Sequence, residues 1–187
     1  MKTLQMPMFV PETEWTPPLN LPDLSGHSQI AIDLETRDPN LKSMGSGAIR
    51  GDGEVVGIAL AVDGWSGYFP IGHEGGGNLD RAVVVDWFEE VCATRATKIF
   101  HNAMYDVSWI RAMGIKINGK IIDTMIAASL VDENRWGFTL DGVAKQYVGS
   151  GKNEKMLVEA AKAWGIDPKA EMWRLPAPFV GTYAEKD

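Results

Sequence analysis

Residues 54–71 read EVVGIALAVDGWSGYFPI. After Glu54, residues 55–62 are apolar and rich in β-branched side chains, as a buried strand requires. Asp63-Gly64 follows, a hairpin signal, and WSGYFPI then returns beside the first arm. Upstream, SQIAIDLET at 28–36 places Ile30, Ala31, Ile32 and Leu34 in another buried strand. Downstream, GHEGGGN at 72–78 reads as a flexible loop, and the hydrophobic period then changes. In DRAVVVDWFEEVCA, residues 80–93, Val84, Trp87, Phe88 and Val91 share one helical face and Asp80 is the expected N-cap. TKIFHN at 97–102 is a short strand, and AMYDVSWIRAMG at 103–114 is a helix closed by Gly114. IKINGKIIDT at 115–124 reads as a strand with a turn, and MIAASLVDEN at 125–134 as a helix. TLDGVAKQYVG, NEKMLVEAAKAWG and the segment from about Phe179 continue the helical pattern.

Three strands with a hairpin, then strand–helix–strand–helix, predict an α/β fold with one mixed sheet. Three strands are antiparallel, two more are parallel, and helices flank them. This order is similar to the ribonuclease-H-like architecture, which many α/β folds share in part, so it says little about function. Residues 1–28 are Pro-rich and lack periodicity. They are expected to form an arm packed on the domain at 29–187, or a linker, tethered by Met8, Phe9, Val10 and Trp15.

The chain has 187 residues, 45% of them hydrophobic and 23% charged, enough for one well-filled core. No apolar run approaches the roughly 18–20 residues that span a bilayer. The N-terminal residues lack the apolar stretch of a signal peptide. Cys92 is the only cysteine, which excludes a disulfide framework and a Cys-based zinc site. A soluble, cytoplasmic protein is expected. The net charge of −7 disfavours a protein that holds nucleic acid by phosphate neutralisation alone. It is compatible with carboxylates gathered around metal ions, which supply the positive charge.

Three short stretches concentrate carboxylates. In AIDLETRD, Asp33 and Glu35 are i and i+2 on a strand, so both leave one face. At ~4 Å and an effective dielectric of ~20 two such charges repel by about 4 kcal/mol, which a cation between them would reverse. The plain alternative is a solvated strand end. In FHNAMYDVSW, Asn102 precedes a helix whose first turn holds Tyr105 and Asp106. Taken alone, Asn102 is an N-cap and Asp106 complements the helix dipole. In GTYAEKD, Tyr183 and Asp187 stand at i, i+4, which alone describes an exposed helical pair.

Taken together, these stretches resemble the three motifs of the DEDD (DnaQ-like) exonuclease superfamily: D-x-E, an Asn shortly before Tyr-Asp, and Y-x-x-x-D. Thr182 stands where one branch has His, and Tyr183 gives the DEDDy pattern. IIDTMIAASLVDEN, FTLDGVAKQYVG and MWRLPAPFVGTYAEKD are similar to the 3′–5′ exonuclease domains of phage and bacterial family A DNA polymerases. The resemblance covers about residues 29–187 and leaves the arm outside. It implies two Mg²⁺ or Mn²⁺ ions on carboxylate oxygens, with Asp33 bridging both. Glu35 and Asp187 would complete the first ion's site and Asp106 the second's, partly through water. Tyr183 would orient the attacking water, since a phenol of pKa ~10 is a poor base. One ion would activate that water and the other stabilise the leaving 3′-oxygen. Asn102 and Tyr105 would lie near the terminal nucleotide. The implied substrate is a single-stranded or frayed 3′ end of DNA, with RNA possible, and the product is nucleoside 5′-monophosphates. A polymerase module is the implied partner if the domain is excised from a longer chain. In this family the last helix runs past its Asp, so the stop at Asp187 predicts a complete site held loosely at one corner.

Other residues have plainer readings. Asp123 is an N-cap or a further carboxylate near the site. His101 is expected to pack or hydrogen bond, and His73 to be a loop residue. GSGK at 149–152 is not a phosphate loop, because Gln146 and Asn153 break its pattern. Lys145, Lys152, Lys155 and Arg135 either contact a strand backbone or form a solvated face. Leu41 is a candidate wedge between terminal bases. An RNase-D-like exoribonuclease and a non-catalytic module binding a single strand or a partner remain as alternatives.

Overall fold

The computed structural model describes residues 7, 10–149, 151 and 154–186. Strand β1 (Gln29–Arg37) organises it. Ile30, Ile32 and Leu34 are buried on one face, and Ala31, Asp33 and Glu35 alternate onto the other. Short helices α1 (Leu41–Met44) and α2 (Gly47–Arg50) lead to β2 (Glu54–Val62), antiparallel to β1. The Asp63-Gly64 turn, with Gly64 at φ 77°, delivers β3 (Trp65–Pro70) antiparallel to β2. After α3 (Arg81–Ala93), β4 (Thr97–Phe100) pairs parallel to β1. Helix α4 (Ala103–Ala112) then leads to β5 (Ile121–Asp123), parallel to β4. The strand order β3-β2-β1-β4-β5 is the expected mixed sheet. Helices α5 (Thr124–Val131), α6 (Leu140–Tyr147), α7 (Lys155–Trp164) and α8 (Pro178–Ala184) follow, with a 3₁₀ turn at Met172–Arg174.

The main core lies between the sheet and α3 and α4. Ile32, Ile58, Leu60 and Phe69 meet Phe88, Val91, Trp109 and Ile110 there. Burying each such large side chain contributes about 1.5–3 kcal/mol. The other sheet face has small residues, Ala31, Ala59 and Gly57. A second cluster forms where Ala59 and Tyr68 meet Leu157, Ala160 and Ala161 of α7 and Val180 and Tyr183 of α8. Asp80 caps α3 as expected, its carboxylate accepting from Val83 N at 3.1 Å. Buried Lys98 closes the far end of α3, donating to Thr94 O at 2.6 Å and Asn118 O at 3.1 Å. That pairing answers free carbonyls at the helix terminus.

Several expectations change. Only 121–123 of IKINGKIIDT joins the sheet. Gly119 passes so close to Ala96 O that a Cβ would stand 2.3 Å away, which keeps the preceding residues wrapped around the end of α3. GHEGGGN is a packed loop. Added Cβ atoms on Gly75 and Gly77 would meet Pro176 and Pro178 at 2.3 and 2.9 Å, and Ala177 N donates to Gly76 O. Its glycines therefore serve close approach as well as turning. The arm docks on the domain, though not through Val10, which is exposed. Trp15 packs on Tyr68 with centroids 6.0 Å apart, Leu24 is buried, and Trp87 Nε1 donates to Pro22 O at 2.9 Å. Met8 and Phe9 lie outside the described residues.

Candidate active site

The site begins where one ladder stops. Parallel pairing of β1 with β4 ends at Ala31 opposite Ile99. Beyond it, β1 continues to Arg37 while the chain after Phe100 turns away. The turn is made at Asn102, which adopts φ 71° and ψ 53°. Asn is among the few non-glycine residues that enter this region readily. Helix α4 then carries Asp106 back over the vacated edge of β1. Asp106 Oδ1 accepts the Leu34 N–H at 3.1 Å, taking the donor that a longer β4 would have paired. Asp106 is thereby placed against the backbone between Asp33 and Glu35.

The three carboxylates differ in setting. Asp106 is 3% exposed, Glu35 is 7% exposed and Asp33 is half-buried. Burial, and then the charge of Asp33, push the Asp106 carboxyl up to about 8. Asp106 does stand in the first turn of α4, but it is buried against β1 and is more than a helix-dipole partner. The β1–β2 register slips after Glu35, with Glu35 opposite Gly57 and Thr36 opposite Val55. Such bulges bend a strand and re-aim the adjoining side chains.

Asn102 does not cap α4 with its side chain. Asp123, on β5, does that from the neighbouring strand end. Its carboxylate accepts from Asn102 N at 3.0 Å, Ala103 N at 2.8 Å, Met125 N at 2.9 Å and Ile126 N at 3.4 Å. Burial alone would raise this carboxyl, but the four N–H donors outweigh it and hold the pKa below the ordinary value. Asp123 is thus the N-cap of α5 and the anchor of α4 together.

Two clefts meet at Asn102. One, of about 480 Å³, is lined by Glu35, Asp38, Leu41, Lys42, Asn102 and Tyr105. That size suits a small ligand. The other is lined by Asp33, His101, Asn102, Met125, Phe138 and Leu140. The Tyr105 hydroxyl lies 2.7 Å from Thr36 Oγ1 and donates to Asp38 Oδ2 at 3.3 Å. Asp38 also accepts from Gly47 N at 3.0 Å and faces Arg50, so it ties the β1–β2 connection to Tyr105. Sequence reading missed Asp38, and no local spacing signals it, because its partners come from distant segments. His101 has the expected hydrogen-bonding role, 2.9 Å from Thr124 Oγ1 and 2.8 Å from Phe138 O. It fixes the wall of the second cleft. Arg135 donates to Gly137 O at 2.9 Å and to Gln146, and Lys145 pairs with Asp141 at 2.7 Å.

Tyr183 is buried on α8, in the cluster that contains Ala59. Ala59 is the residue opposite Asp33, so Tyr183 belongs to the carboxylate face of the sheet. Asp187 and Lys152 lie outside the described residues. Among the described residues, no group of three or more His, Cys, Asp and Glu side chains is arranged to hold a metal ion. The chemistry of the donors nevertheless fits a hard divalent cation. Asp33, Glu35 and Asp106 offer only carboxylate oxygen, the donor type such ions prefer.

The mixed sheet and its flanking helices give a ribonuclease-H-like fold. The family described as 3′-5′ exonuclease matches residues 20–187, and the chain belongs to this 3′–5′ exonuclease family of A-type DNA polymerases. It is 38% identical over 195 residues to the DNA-directed DNA polymerase of Pseudomonas phage M6, covering 100% of this chain and 29% of that protein. It is 28% identical to the DNA polymerase DpoZ of Salmonella phage PMBT28, covering 89% of this chain and 25% of that protein. The chain therefore spans less than a third of these relatives. Among solved structures, Brucella melitensis NrnC with bound Mg²⁺ shares the fold, with a TM-score of 0.53 and 18% identity, over 75% of this chain and 62% of that one. The family generally uses divalent metal ions. No described helix is long and apolar enough to cross a membrane.

Proposed function

We propose that the chain is the proofreading 3′–5′ exonuclease domain, 29–187 with an N-terminal arm at 1–28, of a phage-type DNA polymerase acting in the host cytoplasm. It removes nucleoside 5′-monophosphates from the 3′ end of single-stranded or frayed DNA. The observation that carries this is the Asp106 Oδ1 bond to Leu34 N, which brings the second motif's carboxylate against D-x-E. Similarity to two phage DNA polymerases supports DNA as the substrate and a polymerase module as the partner.

Asp33, Glu35, Asp106 and Asp187 would hold two ions, Mg²⁺ or Mn²⁺; the Mg²⁺ in the Brucella neighbour favours the former. Bound there, the ions would lower the pKa of a water and neutralise charge on the leaving 3′-oxygen. The chain's own groups supply position. Asp106 would be deprotonated when it holds an ion. Tyr183 would orient the attacking water rather than take its proton. Asn102, where the two clefts meet, and Tyr105, in the wall of the first, hold the terminal nucleotide, and Leu41 also lines the first cleft.

The test uses 3′-labelled DNA and RNA oligonucleotides with Mg²⁺ or with EDTA. Stepwise loss of 5′-monophosphates from DNA in Mg²⁺ is expected, with at least about a 1,000-fold loss in Asp33→Ala, which is on the order of 4 kcal/mol in the barrier. Turnover of RNA alone would identify an exoribonuclease. No turnover of either would leave a binding module.

A further inference from the structure

Tyr68 of β3 is fully buried, and its hydroxyl lies 2.6 Å from His73 Nε2. It is on the carboxylate face of the sheet, since Tyr68 is opposite Ala59 and Ala59 is opposite Asp33. The ring leans along the sheet until its oxygen rests over Gly57, where an added Cβ would stand 1.9 Å from it. Gly57 is the cross-strand partner of Glu35. A glycine inside a strand weakens it and marks a close approach by something else. Here the thing approaching is the Tyr68 hydroxyl. Burial, and then Glu35 and Asp33, raise the pKa of this phenol, so both carboxylates act on it.

His73 is itself fixed. Its N–H donates to Asn78 Oδ1 and its carbonyl accepts from Asn78 Nδ2, both at 2.8 Å. Its ring meets Tyr68 edge-on, with centroids 5.9 Å apart. A chain of fixed groups thus runs from the packed glycine loop to the place beside Glu35.

We infer that Tyr68 is a positioning residue for Glu35: its hydroxyl, seated over Gly57 and fixed by His73, keeps that carboxylate oriented to receive a divalent ion. The inference rests on the two-ion reading above. Outer partners of carboxylate ligands typically change metal affinity or activity roughly 10–100-fold when lost. A phenol suits this place because it stays neutral and adds no charge to a site already crowded with negative ones.

Calorimetric titration with Mn²⁺ tests it in the wild-type chain, Asp33→Ala and Tyr68→Phe. Binding by the wild type and its loss in Asp33→Ala keeps the two-ion reading. No binding by the wild type overturns that reading and this inference with it. Tyr68→Phe, folded by circular dichroism, is expected to bind Mn²⁺ roughly 10–100-fold more weakly. Its KM for a DNA oligonucleotide should be unchanged, and its kcat should recover as Mn²⁺ is raised. A purely structural role would lower the melting temperature without shifting the Mn²⁺ requirement. Wild-type Mn²⁺ affinity in folded Tyr68→Phe overturns the inference. If Tyr68→Phe does not fold, His73→Leu carries the same test, because it removes the hydroxyl's partner and leaves the Tyr68 ring in place. Wild-type Mn²⁺ affinity in that variant is equally contrary.

Discussion

Asp123 shows how much one side chain can organise without being a ligand. Its two oxygens accept four backbone N–H groups from two helix starts. Asp123→Ala should destabilise the protein by about 2 kcal/mol or more, given about 1 kcal/mol for a single cap. Asp123→Asn should lose less, because Oδ1 alone serves Asn102, Met125 and Ile126. Thermal melting of the two variants checks the order, and an Asn variant as unstable as Ala would contradict it. The N-cap role at Asp123 was legible, since an acidic residue between a strand and an apolar helix announces it. The second role was not, because its partners lie 20 and 21 positions away. Asn102 does hold the N-cap position of α4, but without a side-chain bond. Its backbone, not its side chain, makes the bond that starts the helix.

At the level of elements, alternation and turn chemistry carried most of the fold. β1, β2 and β3 are recognisable from apolar runs and Asp-Gly, and D-x-E is local enough to read directly. Glycines were ambiguous. The run in GHEGGGN looks like freedom, yet the loop is packed against 176–178. Gly181 of α8 is another glycine of close approach, since an added Cβ would stand 2.1 Å from the Trp15 ring. Gly181→Ala should therefore push the arm away from α8 without unfolding the sheet. Altered indole fluorescence and faster proteolysis within residues 10–28 are expected, with most of the far-UV circular dichroism retained. An arm as protected as in the wild type would show that Trp15 has room to move.

For the whole molecule, two buried groups set the pH response. Burial lowers His73 to about 4, so the folded state resists protonating it and stability falls as pH drops below about 6.5. Above 6.5 His73 is neutral in both states. Asp106 acts in the opposite sense. Folding raises its pKa from 3.8 to about 8, so the folded state holds a proton that the unfolded chain has released. Its contribution is full below pH 4 and is lost as pH rises through 8. In EDTA, denaturant unfolding should show about 2 kcal/mol less stability at pH 8.5 than at pH 6.5. Mn²⁺ should restore more at pH 8.5 than at 6.5, with proton release on binding near neutrality. An equal Mn²⁺ effect at both values would contradict the assignment. The same junction offers a spectroscopic gauge. The end of β1 is a cantilever, paired with β2 on one side and touched by Asp106 on the other. The Leu34 amide proton is therefore a single-atom reporter of whether that contact is closed. It should exchange slowly with solvent deuterium while Asp106 holds it, and its exchange rate would follow the opening of that contact.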